Sequence, residues 1–378
     1  MVDSNLDGRI RMNLYDQLVI CWDSFAYIYD LYKRLKVKEQ IYIFGAGDRA
    51  QWVGKVFNNK GIDFQGFLVS RKYYSEQKKA NMYGYEKNIF CYEEIIQRKE
   101  KITIVLGLPK TMLDMKIFDS PKVEEVIPIN LGNREDYLID FGIIEKHKEE
   151  LEWLYRELED DYSRSCLLNC LRGRLTGRDM EFPPNPWSDP EYFIKDFQKW
   201  EKEECIVDCG AYDGDTVEEF LKKKPIDTSF SYEIYAWEPD YDNYSKLQER
   251  YGNNSSIICI NKAAYSKVGR YGFISSGGEM SSLNSDAEYR VDTDTIDSVM
   301  RNKKVTFIKM DVEGCELPAL MGAERQIREN KPRLAICIYH KQEDLWTIPQ
   351  YIKQINPEYK LYLETHSSMP TELVLFCR

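Results

Sequence analysis

Short apolar segments alternate with amphipathic ones through the second half of the chain, as in a parallel sheet with helical crossovers. Apolar runs predict strands at residues 205–209, 232–237, 257–261, 305–310 and 333–339. Helical periodicity predicts helices at residues 216–223, 241–251, 317–329 and 344–354. Two final runs, at residues 360–364 and 372–376, are close enough to pair as a hairpin. The pattern therefore predicts a doubly wound α/β sheet with an antiparallel last strand.

A shorter alternation of the same kind precedes it. An apolar run at residues 40–44 predicts a strand, and a G-x-G-x-x-A turn follows at once from Gly45 to Ala50. Further strands are predicted at residues 64–69, 102–106 and 125–129. Such a turn brings backbone N–H groups toward a phosphate at a helix N-terminus. Residues 36–132 are therefore interpreted as a small Rossmann-like domain.

One position leaves the ligand of this smaller domain undecided. A dinucleotide-binding domain carries an acidic residue at the end of its second strand, where it binds the ribose hydroxyls. This chain has Ser70-Arg71-Lys72 there. The basic pair fits a 2′-phosphate or a sugar-nucleotide diphosphate, whereas a domain that has kept the fold and lost the ligand fits equally well. A working dehydrogenase is not expected.

Helices are predicted on both sides of this domain. A leading amphipathic helix in residues 1–35 is indicated by apolar residues at spacings of three and four: Leu14, Leu18, Cys21, Phe25, Ile28, Tyr32 and Leu35. Such a stripe normally packs on its own domain and less often forms a dimer seam, so a homo-oligomer stays open. Residues 133–203 are interpreted as a helical connector, with a proline-rich linker at 182–187 and a short helix at 192–202. The main domain then occupies residues 204–378.

Composition narrows the class of protein. The 378 residues carry a net charge of −11, whereas a nucleic-acid-binding protein needs a basic face, so no nucleic acid partner is expected. We expect no secretion signal and no membrane span. The ten cysteines are scattered, several of them inside apolar runs, which favours reduced thiols and a cytoplasmic location.

The strongest candidate for chemistry is the turn after the first strand of the main domain. Its sequence, V-D-C-G-A-Y-D-G-D-T from Val207 to Thr216, ends a buried strand in an acid and places two glycines where the chain turns against a ligand. S-adenosylmethionine has no phosphate, so the turn is predicted to hold its amino-acid end and ribose. A generic strand-to-helix turn is the alternative. The cofactor-binding residues predicted here are Asp208, Gly210, Ala211, Tyr212, Gly214 and Thr216.

A second acid follows the next strand. Glu238 stands thirty residues after Asp208, where a carboxylate can accept both ribose hydroxyls, and Pro239 stiffens the turn. Ala263, after the third strand, suits a flat adenine ring. Two such acids in one βαβ unit favour a site for S-adenosylmethionine over a surface glutamate. The antiparallel last strand is also typical of class I methyltransferases.

These segments together resemble a known family. In chain order, VDCGAYDGDT, YAWEPD, AAYSKVG, VDTDTID, FIKMDVEGCELPALMGA and KPRLAICIYHKQEDLWTIP resemble the FkbM family of S-adenosylmethionine-dependent methyltransferases, over residues 190–378. Tyr212, in place of the middle glycine of the general methyltransferase turn, is usual for this family. The resemblance implies O-methylation, commonly of a sugar hydroxyl in a glycan or a polyketide-type natural product, and a place in polysaccharide biosynthesis or secondary metabolism. The upstream domain resembles Rossmann-like domains attached to some bacterial members.

Methyl transfer to a hydroxyl needs alignment and a way to remove the proton. Residues after the fourth and fifth strands lie at the ligand side of an open parallel sheet, and the predicted catalytic residues are Lys309, Asp311, Glu313 and His340. His340, with an ordinary pKa near 6.5, is one candidate base. Alternatively, Asp311 and Glu313 hold Mg²⁺, which lowers the pKa of the hydroxyl. A solvated turn that caps the next helix is the structural alternative.

Two other functions remain as alternatives. One is a sugar-nucleotide or NADP-dependent enzyme centred on Gly45 and Gly47. The other is a binding or scaffold protein whose methyltransferase fold has lost its activity. The intact Asp208, Gly210 and Glu238 count against such decay. The preferred interpretation is an O-methyltransferase that acts on a small molecule or a glycan.

Overall fold

The computed structural model describes residues 13–19, 26–76, 79–82, 85–108, 113–128, 139, 141–176, 192–194, 199–274, 282–283, 287, 289–365 and 372–378. These residues divide into two compact units. The first unit holds the described residues up to Glu152 and those of 167–176. The second unit holds Trp153–Cys166 and the described residues from Tyr192 onward. Within the described part of the chain, no helix is both long and apolar enough to cross a membrane.

The first unit is built on a six-stranded sheet. Its main elements, in chain order, are α1 (Leu14–Val19), α2 (Ala26–Leu35), β1 (Ile41–Phe44), α3 (Asp48–Lys60), β2 (Gly66–Val69), β3 (Lys79–Met82), β4 (Tyr85–Cys91), α4 (Tyr92–Ile95), β5 (Ile102–Leu106) and β6 (Val123–Pro128). The strand order is β3-β4-β2-β1-β5-β6, and β1 pairs in parallel with both β2 and β5. Strands β1 and β5 are buried along their whole length, which explains their unbroken apolar runs.

Helices follow this sheet in the chain: α5 (Phe141–Lys146), α6 (Lys148–Glu157) and α7 (Asp161–Thr176). The predicted linker at 182–187 lies outside the described residues. The helix predicted at 192–202 is wrong at its described positions, since residues 192–194 and 199–202 are not helical. Tyr192, Phe193 and Ile194 are all buried instead, and three consecutive buried side chains do not fit one face of a helix.

The second unit contains a seven-stranded sheet. Its elements, in chain order, are β7 (Glu203–Cys209), α8 (Asp215–Lys223), β8 (Ser231–Trp237), α9 (Tyr241–Tyr251), β9 (Ile257–Ile260), β10 (Ala263–Ala264), β11 (Gly269–Ile274), β12 (Ser282–Leu283), β13 (Arg290–Asp294), α10 (Ile296–Val299), β14 (Phe307–Met310), α11 (Glu316–Met321), α12 (Glu324–Asn330), β15 (Arg333–Cys337), α13 (Asp344–Ile355), β16 (Leu361–Thr365) and β17 (Leu373–Cys377).

The strand order of this sheet confirms the predicted fold class. The order is β16-β17-β15-β14-β7-β8-β9, with β17 antiparallel to β15 and β16. Central β7 pairs in parallel with β8 on one side and β14 on the other. The chain therefore winds outward in both directions from β7 and β14. In such sheets a ligand crevice lies beyond the carboxyl ends of the strands, where the winding reverses.

A four-stranded sheet in the order β10-β13-β11-β12 was not anticipated from the sequence. Strands β10 and β12 have only two residues each, too few to show an alternating pattern. Strand β10 pairs in parallel with β13, which in turn pairs antiparallel with β11. This sheet buries Ala263 and Phe273 in a small apolar cluster. Both residues also line the pocket described below.

One helix predicted as continuous is not. Residues 317–329 form α11 and α12 instead of one helix. The break contains Gly322, where a Cβ would lie 2.1 Å from the carbonyl oxygen of Tyr265. The chain there packs directly against another segment, so a tertiary contact determines the break. The leading helix is described as α1 and α2, and Cys21 and Phe25 of its predicted stripe lie outside the described residues.

Candidate active site

A pocket of about 260 Å³ lies at the carboxyl ends of β7, β8 and β14. Nine of the thirteen predicted site residues line it: Gly210, Tyr212, Thr216, Glu238, Pro239, Ala263, Lys309, Asp311 and Glu313. The other four, Asp208, Ala211, Gly214 and His340, are not part of its lining. The three strand ends that the sequence indicated separately therefore border one cavity.

The turn from Gly210 to Gly214 depends on left-handed backbone. Gly210 has a φ of +76°, and a Cβ there would lie 1.8 Å from the carbonyl oxygen of Asp311. Gly214 has a φ of +93° just before α8. Tyr212 also has a positive φ, of +47°, which is strained for a tyrosine. This turn thus allows close contact between the end of β7 and the chain after β14.

Glu238 ends β8 with a buried carboxylate. Its Oε2 accepts a hydrogen bond from the Tyr212 N–H at 2.9 Å, and its Oε1 accepts one from the Asp240 N–H at 2.8 Å. Burial raises the pKa of Glu238 to about 7, although both N–H groups favour its ionised form. Each carboxylate oxygen keeps a second lone pair for a ligand in the pocket.

Asp208 lies behind the turn, where it neutralises a buried lysine. The Lys309 ammonium is 3.2 Å from Asp208 Oδ1 and donates to the Gly210 carbonyl at 2.6 Å. Burial raises the pKa of Asp208 to about 6 despite the adjacent ammonium. Burial would lower the pKa of Lys309, but the carboxylates of Asp208, Asp311 and Asp215 raise it. Lys309 is therefore a charged structural group that cannot accept a proton at neutral pH.

Asp311 is held by two tyrosines. The Tyr192 hydroxyl donates to Asp311 Oδ2 at 3.0 Å, and the Tyr339 hydroxyl donates to Oδ1 at 3.4 Å. Burial would raise the pKa of Asp311, but the positive charges of His340 and Lys309 outweigh it and hold that pKa below its usual value. Asp311 is therefore an ionised carboxylate of fixed orientation at the wall of the pocket.

His340 is buried next to the pocket. Its Nδ1 lies 2.8 Å from Glu316 Oε1, and its Nε2 faces Asp311 and Glu313. Burial would lower the pKa of His340, but the carboxylates of Glu316, Glu313 and Asp311 raise it well above 6.5. The expectation of an ordinary pKa is therefore wrong. These carboxylates therefore favour the protonated imidazole, which accepts no proton.

Several lining residues were missed by the sequence. They are Tyr192, Asp215, Trp237, Asn243, Ala264, Phe273, Val312, Cys315, Tyr339 and Glu372. Asp215 and Val312 lie inside the quoted motifs and adjoin predicted site residues, but they were not singled out as site residues. Tyr192 and Glu372 come from segments far away in the chain and carry no local signal. With Glu238, Asp311 and Glu313, the acids Asp215 and Glu372 make the lining strongly acidic.

In the first unit, the glycine-rich turn precedes α3. Gly45 has a φ of +107°, and a Cβ there would lie 2.7 Å from a methyl carbon of Leu108. Gly47 has open space where its Cβ would be. Arg71, one of the pair considered for phosphate, forms an exposed ion pair with Glu94, and its N–H donates to the Glu93 carboxylate. The glycine-rich turn is therefore present. Arg71, which was considered as a phosphate ligand, already interacts with two acidic residues.

The family model for the methyltransferase FkbM domain matches residues 208–368. The chain carries a methyltransferase FkbM domain. The matched residues include the turn after β7, Glu238, Asp311 and His340. The search of curated proteins found no match.

Solved structures agree on the fold. The crystal structure of methyltransferase FkbM from Methylobacillus flagellatus KT has a TM-score of 0.74 and 23% sequence identity, and covers 97% of this chain and 98% of that chain. At a sequence identity of 23%, this similarity shows only that the two chains share a fold. Aeropyrum pernix fibrillarin in complex with natively bound S-adenosyl-L-methionine has a TM-score of only 0.33 and 10% identity, and covers 50% of this chain and 71% of that chain.

Proposed function

We propose that the FkbM domain is an S-adenosylmethionine-dependent O-methyltransferase that acts on a hydroxyl group of a sugar, a glycan or a related natural product. The observation that carries this proposal is the position of Glu238. Its buried carboxylate is fixed by two backbone N–H groups and faces the same pocket as the turn at Gly210. This arrangement suits a ligand with two neighbouring hydroxyls at one end of the pocket.

The lining fits S-adenosylmethionine in charge. The pocket brings together five carboxylates and one lysine whose charge is compensated by Asp208. A ligand with a sulfonium and an ammonium group is attracted by such a lining. Ala263 and Ala264 are small and buried beside the cavity, which leaves room for a flat base. These residues, with Glu238 and the turn at Gly210, would hold the cofactor.

When bound, S-adenosylmethionine supplies a methyl group on a positively charged sulfur. The chain itself has to align the acceptor oxygen, exclude water and remove the proton of the hydroxyl. Asp311 is suited to accept a hydrogen bond from that hydroxyl and to orient it, because it is ionised and two tyrosines fix its own orientation; its lowered pKa makes it a weak base. Lys309 and His340 hold positive charge beside Asp311 and keep it ionised. We assign them positioning roles.

The acceptor side of the pocket favours a polar substrate. Glu313 follows β14 and Glu372 precedes β17, and both line the pocket. Carboxylates accept hydrogen bonds from hydroxyl groups, so an acceptor with several hydroxyls would find partners there. We propose a sugar or glycan on this ground and on the resemblance of the motifs. Residues 204–378 are proposed as the catalytic part, with residues 36–132 as an accessory Rossmann-like domain.

Two measurements on the full chain test the proposal. Titration calorimetry with S-adenosylmethionine is expected to show binding that weakens by about 1.5–3 kcal/mol in Glu238→Ala, the usual effect of losing charged hydrogen bonds. Glu233→Ala is the matched control, because Glu233 lies on the same strand and pairs with Lys303 at the surface. Radiolabelled methyl transfer to a panel of monosaccharides, nucleotide sugars and oligosaccharides then tests the acceptor class. Tight NADP binding without binding of S-adenosylmethionine would overturn the proposal.

A further inference from the structure

We propose that Asp311, Glu313 and His340 form a binding site for one divalent transition-metal ion of the Mn²⁺ type. One ligand atom from each of the three side chains can be chosen so that all lie within 4.8 Å of one another. Asp311 and Glu313 come from the turn after β14, and His340 follows β15. The binding of the metal ion does not depend on the proposed function, but the catalytic role that we assign to the ion below rests on that function.

The distances within the group fit metal ligands better than hydrogen bonds. His340 Nε2 lies 3.4 Å from Asp311 Oδ1 and 3.6 Å from Glu313 Oε1. A hydrogen bond between nitrogen and oxygen is normally ~2.7–3.2 Å long. Two ligand atoms bound to one ion at ~2.1 Å each, with angles of ~90–110°, lie ~3.0–3.5 Å apart. The two separations that involve His340 are close to that range.

A second observation points to a ligand at this place. The His340 side chain is 1% exposed, and among the described residues its Nε2 has no partner that meets hydrogen-bond geometry. A buried ring nitrogen without a partner is unfavourable, and here it is directed at two carboxylates. A metal ion between the three groups would satisfy the nitrogen and compensate the negative charge of the acids.

The other ring nitrogen lies close to a buried carboxylate. His340 Nδ1 lies 2.8 Å from Oε1 of Glu316, which is fully buried. The same oxygen accepts a hydrogen bond from the Val312 N–H at 2.9 Å, so its place is fixed by the backbone after β14. A carboxylate behind a metal-binding histidine sets the orientation of the ring and leaves the opposite nitrogen for the ion. Glu316 is thus a positioning residue of the site.

The donor set indicates which ion fits. Carboxylates favour Mg²⁺, Ca²⁺ and Mn²⁺, whereas imidazole favours Zn²⁺, Fe²⁺ and related ions. Mn²⁺ accepts both donor types, so one imidazole and two carboxylates favour it over the Mg²⁺ that the two acids alone indicate. Because Asp311 and Glu313 line the pocket, the remaining coordination positions would face the acceptor.

The ion would assist the proposed methyl transfer through the acceptor hydroxyl. Coordination lowers the pKa of a bound hydroxyl group. As the acceptor's O–H bond breaks, its proton passes to water. The electron pair of the oxygen forms the new O–CH₃ bond, and the S–CH₃ bond breaks with its electrons remaining on sulfur. With the ion bound, Asp311 would be one of its ligands, and water would accept the proton of the hydroxyl.

The test measures Mn²⁺ binding to the chelator-treated full chain by electron paramagnetic resonance, without any methyl donor. We expect one saturable site per chain, and pulsed measurements should show coupling to an imidazole nitrogen. His340→Gln should abolish the nitrogen coupling, and Asp311→Asn should weaken binding at least tenfold. His147→Gln is the matched control, because His147 pairs with Glu150 and is not among the residues that line the pocket.

Absence of a saturable site in the unaltered chain, or a nitrogen coupling that persists in His340→Gln, would overturn the metal site. The pulsed signal of the unaltered chain tests the site without relying on the folding of any variant. Binding of S-adenosylmethionine is measured separately in the presence of chelator. Failure of the metal site with intact donor binding, or the reverse, therefore distinguishes this inference from the proposed function.

Discussion

Lys309 and Asp208 are register partners on the neighbouring parallel strands β14 and β7, and the ammonium of Lys309 lies 3.2 Å from Asp208 Oδ1. The side chains are 3% and 1% exposed. The same ammonium donates to the carbonyl of Gly210, where the turn begins. A lysine in the middle of a buried strand is therefore explained by the acid beside it. The pair joins the end of β7 to β14 directly behind the pocket.

Replacing Lys309 by methionine is expected to lower the free energy of unfolding by about 3–5 kcal/mol, because Asp208 is left as a buried carboxylate without its cation. Denaturant unfolding at pH 7.5 measures this. Lys304→Met is the matched control, since Lys304 is an exposed lysine paired with Glu201 and should change stability by less than about 1 kcal/mol. The double variant Asp208→Asn/Lys309→Met should recover part of the loss. An unchanged unfolding midpoint in Lys309→Met would contradict the structural role of the pair.

Gly210→Ala tests the contact between the turn and the chain after β14. The positive φ and the 1.8 Å approach of a Cβ to the Asp311 carbonyl both oppose a side chain. We expect a loss of at least about 2 kcal/mol in stability, with loss of S-adenosylmethionine binding. Gly47→Ala is the matched change in the other glycine-rich turn, where a Cβ meets no atom within 4 Å. Thermal unfolding and calorimetry should find it nearly unaltered. Loss of donor binding in Gly47→Ala would mean that the cofactor had been assigned to the wrong unit.

The parts of the fold that the sequence predicted are those with local signals. The strands β7, β14 and β15 are buried runs of four to seven residues, and their mostly apolar sequences are visible without tertiary information. Glu238 was found for the same reason, because it directly follows such a strand. The two-residue strands β10 and β12 have no period to detect, and the sheet that contains them was missed.

The parts of the site that were missed depend on contacts between distant segments. Tyr192 reaches Asp311 across 119 positions of the chain, and nothing in the sequence around Tyr192 indicates that partner. The pKa of His340 follows from three carboxylates on the loop after β14 and on α11, and their convergence depends on the pairing of β14 with β15. Residue type and strand position placed His340 near the site. Its protonation state needed the structure.

The first unit is expected to show no dehydrogenase activity. Arg71 is already paired with Glu94, and no acid follows β2 to bind ribose hydroxyls. A titration of NADPH fluorescence should show no saturable binding below about millimolar concentration, and no acceptor-dependent oxidation of NADPH should be detected. Arg71→Ala should leave the affinity for S-adenosylmethionine unaltered. Turnover of NADPH by the unaltered chain would contradict this expectation and favour the oxidoreductase alternative.

Glu238 predicts opposite pH dependences for cofactor binding and for the stability of the free domain. Its pKa is raised to about 7 because the carboxylate is buried. Ribose hydroxyls donate to the ionised form, so the affinity for S-adenosylmethionine is expected to fall about tenfold between pH 8 and pH 6 as Glu238 becomes protonated. In the unfolded chain the pKa returns to about 4.5. Between these two values the folded state binds more protons than the unfolded state, so the free domain gains about 1 kcal/mol as the pH falls from 8 to 6.

The comparison with Glu238→Gln isolates these effects. The α-amino group of the cofactor also titrates near pH 8 and contributes equally to both proteins, so the difference between them reports Glu238 alone. The amide keeps the shape of the side chain but cannot ionise, so the contribution of Glu238 to both pH dependences should be lost in Glu238→Gln and should appear in full in that difference. Glu233→Gln, on the same strand but at the surface, should behave like the unaltered chain. Calorimetric titrations and urea unfolding at pH 6, 7 and 8 provide the measurements. Equal slopes in Glu238→Gln and in the unaltered chain would show that the carboxylate does not contact the bound cofactor, and the position of the ribose would have to be reassigned.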